Sequence, residues 1–304
     1  MIEVSQLTKR YGGTMAVRDL SFTVRPGHVT GFLGPNGAGK TTTLRMLLGL
    51  VEPTSGTATV SGHSFRRHPR GLHHVGALLD AGDVHGGRTA RAHLQALARS
   101  NRIPARRVEE VLIEVGLAGA AARRRIGGYS LGMKQRLGIA TALLGDPPVL
   151  LFDEPLNGLD PEGVLWVRGL FRKLAAEGRT VFVSSHLMSE MENTADELIV
   201  IGRGELIAAE SLTAFAERGT RPAVTVRTPD AGALADALSA EGAAVAPYDE
   251  ETLKVTGLSS DRIGEIAFEH RFLLRELATQ TASLEAAFME LTADSVEYLA
   301  GEPR

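Results

Sequence analysis

The chain has 304 residues, of which 43% are hydrophobic and 23% are charged, and its formal net charge at pH 7 is −3. This composition is typical of a soluble globular protein and excludes a fibrous or disordered chain. Cysteine is absent, which excludes disulfides and thiolate metal sites and fits the cytosol.

The charges are distributed unevenly. Residues 221–304 carry 7 Lys/Arg and 15 Asp/Glu, a net charge of −8, which leaves +5 for residues 1–220. The mildly basic first part suits a nucleotide ligand, but the excess is too small for a nucleic-acid interface. We expect the acidic tail to be a solvated surface.

No apolar segment approaches the ~18 residues of a membrane-spanning helix. The first residues, MIEVSQLTKRYGG, alternate in polarity and lack the apolar core of a signal peptide. We therefore expect a chain that neither crosses a membrane nor is secreted by that route.

The first elements in chain order are short strands around a glycine-rich loop. DLSFTV (19–24) places its apolar residues on one face of a strand, and HVTGFLG (28–34) is typical of a strand buried on both faces. The loop that follows leads into KTTTLRMLLGLV (40–51), which has helical spacing, and EPTSGTATVSG (52–62) predicts a turn and another strand. Strand, loop and helix in this order are what a phosphate-binding loop requires.

Residues 89–145 are predicted to be mostly helical, with one apolar helix face that starts at Val108 and continues at i+3, i+4 and i+7. Two more buried strands, PPVLLFDEP (147–155) and TVFVSSH (180–186), flank the helical segment GVLWVRGLFRKLAAEG (163–178). Strands that alternate with helices predict a parallel α/β sheet.

After about residue 220 the pattern changes to that of a second, small domain. The segments AVTVRT, DAGALADALSAEG, AAVAPYDEETLKVTG, DRIGEIAFEH and FLLRELA predict the order βαββαβ of a ferredoxin-like fold, followed by a helix in SLEAAFMELTAD. The sequence therefore predicts two domains, residues 1–220 and 221–304.

The glycine-rich loop fits the pattern Gly-x-x-x-x-Gly-Lys-Thr at every defined position. Its glycines permit close backbone approach and positive φ, so that N–H groups and a helix N-terminus face phosphates. Lys40 is expected to bind β- and γ-phosphate oxygens and the Thr41 hydroxyl to ligate Mg²⁺. The flanking strand and helix disfavour the alternative of a merely flexible loop. The predicted phosphate-binding residues are Gly34, Pro35, Asn36, Gly37, Ala38, Gly39, Lys40, Thr41 and Thr42.

Two of the predicted buried strands end in polar residues. In an open α/β sheet the carboxyl ends of the strands line the ligand crevice. There Asp153 would hold a metal through water, and Glu154 would polarise the attacking water. His186 would hydrogen-bond the γ-phosphate and distinguish ATP from ADP. The alternatives are that the acids only mark the end of a strand and that the histidine is structural.

A second turn of phosphate-binding character lies far downstream in GGYSLGMKQRLGIA (127–140). Ser130 and Gly132 can direct a hydroxyl and a backbone N–H toward an anion at the start of a helix. From these residues alone, an ordinary helix cap is the simpler interpretation.

The motifs GPNGAGKT, YSLGMKQR, LLFDEP, NGLDP and SSH, in this order within residues 1–215, resemble the ATP-binding cassette (ABC) family of transport ATPases. Other phosphate-loop families share only the first motif. The resemblance implies a parallel-sheet core, an antiparallel β subdomain and a helical subdomain, with ATP and Mg²⁺ as cofactors. It also implies that two cassettes pair head to tail, so that the turn at Ser130 caps the γ-phosphate bound to the other copy.

Further positions follow from the resemblance. Tyr11 lies where the family stacks an aromatic ring on adenine, the alternative being a buried tyrosine at a strand end. Asp160 lies in the loop that contacts the partner cassette. Two positions depart from the family pattern: Leu131 and Met133 replace a glycine and a glutamine of the turn, and Asp80 replaces a glutamine near the metal. An acid at that position could still ligate Mg²⁺, but it cannot donate as an amide does.

These departures, the GLDP sequence and the size of the tail resemble the branch that powers drug, antibiotic and lantibiotic-peptide exporters. That branch implies a homodimer, separate integral-membrane permease subunits, no nucleic-acid partner and a position at the inner face of the cell membrane. The alternatives are a soluble ABC ATPase acting on ribosomes or DNA and a phosphate-loop kinase. A single phosphate loop and the lack of room for a coiled-coil insertion within residues 60–130 disfavour the first, and a kinase would leave YSLGMKQR unexplained.

Other polar clusters are expected to be surface features. The five histidines between His63 and His85 fit no common ligand spacing, although a metal site is the alternative. The basic runs RRHPR (66–70) and Arg123–Arg125 are predicted to be solvated, with contact to anionic lipid headgroups or to the membrane partner as the alternative.

Overall fold

The computed structural model describes residues 1–219, 223–280 and 284–292. The chain divides into two compact units, one formed by Met1–Leu212 together with Leu291 and Thr292, and the other by Thr213–Glu290. The boundary therefore falls somewhat earlier than residue 220.

The first unit contains two sheets and a group of helices. Its strands are β1 (Ile2–Tyr11), β2 (Thr14–Val24), β3 (Val29–Leu33), β4 (Ser55–Val60), β5 (Val75–Leu78), β6 (Val149–Asp153), β7 (Thr180–Ser185), β8 (Glu197–Gly202) and β9 (Glu205–Ser211). Its helices are α1 (Lys40–Leu47), α2 (Ala90–Asn101), α3 (Arg106–Glu114), α4 (Ala120–Arg123), α5 (Leu131–Leu143), α6 (Pro161–Ala176) and α7 (Met188–Glu192). Short 3₁₀ turns occur at Phe65–Arg67, Gly71–His73 and Ile126–Gly128.

The central sheet has the strand order β5-β6-β7-β3-β8-β9, in which the first five strands are parallel and β9 is an antiparallel edge strand. Every residue of β3, β6 and β7 is buried, as the apolar runs predict. Register pairs Leu33 with Ser185 and Asp153 with Ser184, so the three strands end at the same edge of the sheet. That edge carries the polar residues predicted for the crevice.

A three-stranded antiparallel sheet, β2-β1-β4, contributes to the same hydrophobic core as the central sheet. The rings of Phe22, Phe32 and Phe182 meet between the two sheets with centroids 5.0–5.8 Å apart. The apolar face predicted for β2 is buried, which confirms its orientation. Phe22 and the strand it lies on thus brace β3, the strand that leads into the glycine loop.

The helical part of the unit lies between β5 and β6 in the chain. The apolar face predicted from Val108 onward is buried in α3 and at its end. Helix α5 approaches β5 so closely that a Cβ on Gly76 would overlap the carbonyl of Ala142. This close contact fixes α5, and with it the turn at its start, against the central sheet.

The elements of the second unit are α8 (Leu212–Gly219), β10 (Ala223–Arg227), α9 (Ala231–Ala240), β11 (Ala244–Pro247), β12 (Thr252–Thr256), α10 (Ser260–Glu269), β13 (Glu276–Gln280) and α11 (Leu284–Thr292). The first residue of α8 and the last two of α11 belong to the first unit. Elements β10 to β13 run in the order βαββαβ, and the antiparallel sheet has the strand order β11-β12-β10-β13, the arrangement of a ferredoxin-like domain. The last strand starts later than FLLRELA predicts, because Phe272 and Leu274 pack against the core before the strand begins. Of the final predicted helix, Ser283, Ala293 and Asp294 lie outside the described residues.

Within residues 1–219, 223–280 and 284–292, no helix combines the length and apolar character needed to cross a bilayer.

Candidate functional site

The loop between β3 and α1 forms a cradle. Gly37 and Gly39 have φ values of +83° and +102°, and Gly39 is the N-cap of α1. A Cβ on Gly39 would lie 2.6 Å from the carbonyl oxygen of Ala16, so the position admits only glycine. The loop, with Ala16 and Glu154, lines a cavity of about 250 Å³ at the N-terminus of α1. This geometry suits an anion of phosphate size.

Lys40 is held inside the cradle with only 6% of its surface exposed. Its Nζ donates to the carbonyl oxygens of Gly34 at 2.6 Å and Pro35 at 3.3 Å, and lies 3.6 Å from Oε1 of Glu154. Burial lowers the pKa of Lys40, and the charges of Glu154 and Asp153 oppose that shift. The ammonium is therefore held by two carbonyl oxygens and one carboxylate, and phosphate oxygens would add further charged acceptors.

Thr41 and Asp153, expected to hold Mg²⁺, are brought together. The Thr41 hydroxyl donates to Oδ2 of Asp153 at 2.7 Å, and the Ser184 hydroxyl donates to Oδ1 of the same carboxylate. A hydroxyl and a carboxylate side by side are hard oxygen ligands of the kind Mg²⁺ takes alongside water and phosphate oxygens. The residues present fit the metal.

Glu154 and His186, the two predicted catalytic residues, contact each other. Oε2 of Glu154 lies 2.8 Å from Nδ1 of His186 and 3.5 Å from Nδ2 of Asn157. The Glu154 backbone has φ +49°, a left-handed conformation that is strained for a residue with a side chain. Its N–H donates to Oγ of Ser184 at 3.0 Å, which helps to hold that conformation. In this conformation the carboxylate lies 3.6 Å from Nζ of Lys40 and 2.8 Å from Nδ1 of His186.

The turn after His186 is fixed by Ser185 and Glu190. The Ser185 hydroxyl donates to Glu190 and accepts the N–H of Leu187 at 2.9 Å. Burial raises the pKa of Glu190, and the hydrogen bond from Ser185 opposes that shift.

Ser130, Gly132 and Asp160 do not line the cavity of their own chain. Ser130 caps α5 by accepting the N–H of Met133 at 3.2 Å, and Asp160 caps α6 by accepting the N–H of Gly163 at 2.9 Å. Within one chain, therefore, both polar side chains act as ordinary helix caps. Both residues are also exposed, which leaves them open to a second molecule.

Tyr11 and Asp80 lie outside the cluster of contacts around Glu154. Tyr11 is 48% exposed at the end of β1, with Nζ of Lys9 4.9 Å from its ring centre, so the alternative of a buried tyrosine is wrong. Asp80 is exposed and accepts the N–H of Gly82 at 2.6 Å. In the described part of the chain, no hydrogen bond or ion pair joins Asp80 to Thr41 or Asp153. Its role toward the metal stays a prediction.

The sequence reasoning missed Ser184, Gln135 and Asn157. Ser184 joins Asp153 to the backbone of Glu154, and Nε2 of Gln135 donates to the carbonyl oxygens of Glu154 at 3.4 Å and Asn157 at 3.1 Å. Gln135 lies one turn before the buried Ile139 on the same face of α5, and a polar residue at such a position is the sequence signal that could have identified it.

Three of the histidines before residue 85 form ring contacts with one another. The rings of His68 and His74 stack at 4.4 Å, and His63 packs edge-on against His68 at 5.8 Å. Among the described residues, no group of three or more His, Cys, Asp or Glu side chains could hold a metal ion.

The comparisons with known proteins agree with this geometry. Residues 17–157 match the family described as ABC transporter, and residues 222–285 match a domain of unknown function, DUF8746. The bacitracin transport ATP-binding protein BcrA of Bacillus licheniformis is 43% identical over 210 residues, 68% of each chain. The Nod factor export ATP-binding protein I of Burkholderia orbicola is 39% identical over 79% of this chain and 80% of its own.

A solved structure shares the fold. It is described as the dimeric post-hydrolysis state of the ATP-binding cassette MJ0796 bound to ADP and Pi. The likeness has a TM-score of 0.64 at 24% identity and covers 70% of this chain and 99% of the other.

Proposed function

Because this chain belongs to the ABC transporter family of ATP-binding proteins, we propose that it is the ATP-hydrolysing subunit of an exporter of drugs, antibiotics or peptides. Its relatives include ATP-binding proteins named for bacitracin transport and Nod factor export. Separate permease subunits would form the membrane part, and the subunit would act at the inner face of the membrane. The relatives do not favour the alternative of a soluble ABC ATPase.

The observation that carries the proposal is the set of contacts at one edge of the central sheet. Lys40, the Thr41–Asp153 pair and the Glu154–His186 pair surround or adjoin one phosphate-sized cavity. The loop and Lys40 would hold the phosphates of ATP. Thr41 and Asp153 would hold Mg²⁺, whose charge offsets that of the phosphates.

Glu154 is placed to orient a water molecule toward the γ-phosphate. His186 holds the Glu154 carboxylate through Nδ1, which leaves Nε2 available to the γ-phosphate. With both groups positioned in advance, the attack of water on the γ-phosphate and the departure of ADP depend on orientation and electrostatic stabilisation and need no covalent enzyme intermediate.

The exposed turn at Ser130 completes the site in a second copy of the chain. Its hydroxyl and the N-terminus of α5 form a second anion-binding end that the cavity of its own chain does not use. A head-to-tail homodimer would bring this end to the partner's γ-phosphate, so that ATP closes the dimer and hydrolysis reopens it.

A trapped dimer tests this function. Glu154→Gln removes the carboxylate while the cradle stays, so we expect retained ATP binding, a stable ATP-bound dimer by size-exclusion chromatography and almost no turnover. Ser130→Arg should abolish hydrolysis but leave ATP binding by the monomer unchanged in calorimetry. Near wild-type turnover of Glu154→Gln, or equal loss of binding and hydrolysis in Ser130→Arg, would contradict the assigned roles.

The transport role needs its own test. We expect the protein to co-purify from membranes with an integral-membrane protein encoded beside it. That protein should have about six apolar segments, each with the ~20 residues that a membrane-spanning helix needs. Recovery of the protein only with ribosomes or DNA would contradict transport.

A further inference from the structure

Gln135 connects two parts of the site that are far apart in sequence. It lies in α5 shortly after Ser130 and is 6% exposed. Its Nε2 crosses to the segment that follows β6, where it donates to the carbonyl oxygens of Glu154 and Asn157. One side chain thus links the helix that starts at the Ser130 turn to the backbone of the catalytic glutamate.

The same two segments also pack directly on each other. A Cβ on Gly132 would lie 3.3 Å from the carbonyl oxygen of Gly158 and 3.6 Å from Cδ2 of Leu159. Gly158 has φ +75°, and a Cβ there would overlap the side chain of Leu131. Side-chain hydrogen bonds and close packing therefore hold the turn (residues 130–133) and the loop (residues 157–160) as one surface.

Stability alone is a poor explanation for a glutamine at this position. Its Oε1 is buried and has no hydrogen-bond partner among the described residues, which is unfavourable for folding. A methionine of similar length would fill the space without a buried, unpaired acceptor. The two bonds made by Nε2 are what the glutamine supplies.

We propose that Gln135 is a positioning residue that makes the Ser130 turn and Glu154 of one chain move as a unit. The inference rests on the proposed function, in which the turn caps the partner's nucleotide while Glu154 serves the chain's own nucleotide. Closure over one ATP then sets the geometry of the carboxylate at the other, so Gln135 couples the two sites of the dimer.

The test separates capping from chemistry by placing Gln135→Met in the Glu154→Gln background. There the carboxylate is already gone, so any change in ATP-driven dimerisation reports on the turn and loop. We expect a dimer about tenfold weaker by analytical ultracentrifugation, from the loss of hydrogen bonds that order the surface. ATP binding by the monomer should not change, and the melting temperature should be equal or higher.

Thr141→Val is the matched control. The Thr141 hydroxyl donates to the carbonyl oxygen of Leu137 within the same helix and makes no contact with the Glu154 segment. It should leave dimerisation unchanged. Equal dimerisation with and without Gln135→Met would overturn the inference, whereas a Glu154→Gln protein that never dimerises would overturn the proposed function instead.

Gln135→Glu in the otherwise wild-type chain adds a pH-dependent readout. A charged carboxylate would repel both carbonyl oxygens, whereas the protonated acid can donate to one of them, and burial favours the protonated form. We expect its kcat, relative to wild type, to rise as the pH falls from about 8 to about 6. The relative kcat of Gln135→Met should stay low and constant, with KM for ATP near wild type. A pH-independent ratio for Gln135→Glu would contradict the positioning role.

Discussion

Ser184→Ala isolates the hydroxyl that holds the catalytic segment together. Ser184 is completely buried, donates to Asp153 and accepts the N–H of Glu154 at 3.0 Å. The substitution removes both bonds and leaves a buried N–H and a buried carboxylate oxygen each short of a partner. Because the accepting bond helps to hold the left-handed backbone of Glu154, we expect stability and turnover to fall together.

The size of the expected stability loss follows from the Glu154 N–H and the Asp153 carboxylate oxygen, the two groups that lose a partner. Leaving a buried polar group without its partner costs about 1–3 kcal/mol, and we take about 2 kcal/mol because the Asp153 carboxylate keeps its bond from Thr41. For a domain of 150–250 residues, each kcal/mol lowers the melting temperature by roughly 2–4 °C. We therefore expect a decrease of about 4–8 °C. If the misplaced Glu154 carboxylate also costs about 1.4 kcal/mol of transition-state stabilisation, kcat falls about tenfold.

Thermal unfolding and steady-state ATP hydrolysis check this together. Ser184→Thr keeps the hydroxyl and serves as the control for kcat, which should stay near wild type. Its added methyl group occupies buried space and is expected to lower the melting temperature by itself. ATP binding by the monomer should survive in Ser184→Ala, because the cradle between β3 and α1 does not include Ser184. A variant that melts and turns over ATP like the wild type would refute the role given to this hydroxyl.

Three further outcomes are expected. Burial raises the pKa of Glu190, so its contribution to stability is present below the ordinary glutamate pKa and is lost as the pH rises through the raised value. Thermal unfolding at a series of pH values should therefore show that the melting temperature of Glu190→Gln rises relative to that of the wild type over that window. Above the window the difference should stay constant. Tyr11→Ala should weaken ATP binding in calorimetry by about tenfold if the exposed ring stacks on adenine, with Tyr11→Trp near wild type; equal affinities would contradict stacking. Asp80→Asn keeps an acceptor for the N–H of Gly82 but removes the charge, so it should raise the Mg²⁺ concentration needed for half-maximal hydrolysis, and an unchanged requirement would remove Asp80 from the metal site.

The sequence predicted the parts of the site that depend on one segment at a time. Apolar runs identified β3, β6 and β7, because a strand buried on both faces needs such a run. The glycine loop was predictable because positive φ values at Gly37 and Gly39 and close contacts at Gly34 and Gly39 restrict these positions to glycine. These segments therefore place Lys40 and Glu154 at one edge of the central sheet.

Features that depend on pairs of segments were not predictable. Nothing in VSSH indicates that Ser184 hydrogen-bonds both the Asp153 carboxylate and the N–H of Glu154. Nor does the sequence indicate that Glu154 adopts a left-handed backbone conformation. FLLRELA predicts a strand that starts too early, because Phe272 and Leu274 alternate in sequence as strand residues do but pack against the core before the strand begins. The role of Gln135 is not predictable because its partners are backbone carbonyls, which have no sequence signature.

Complementation between two inactive variants tests most directly whether each reaction centre is shared between two chains. Ser130→Arg spoils the cap but keeps the cradle, and Lys40→Met spoils the cradle but keeps the cap. In a mixture of equal amounts, random pairing makes about half of the dimers mixed, and each of these contains one complete centre. We predict that the mixture hydrolyses ATP although neither variant does alone. A mixture as inactive as its components would contradict a reaction centre shared between two chains.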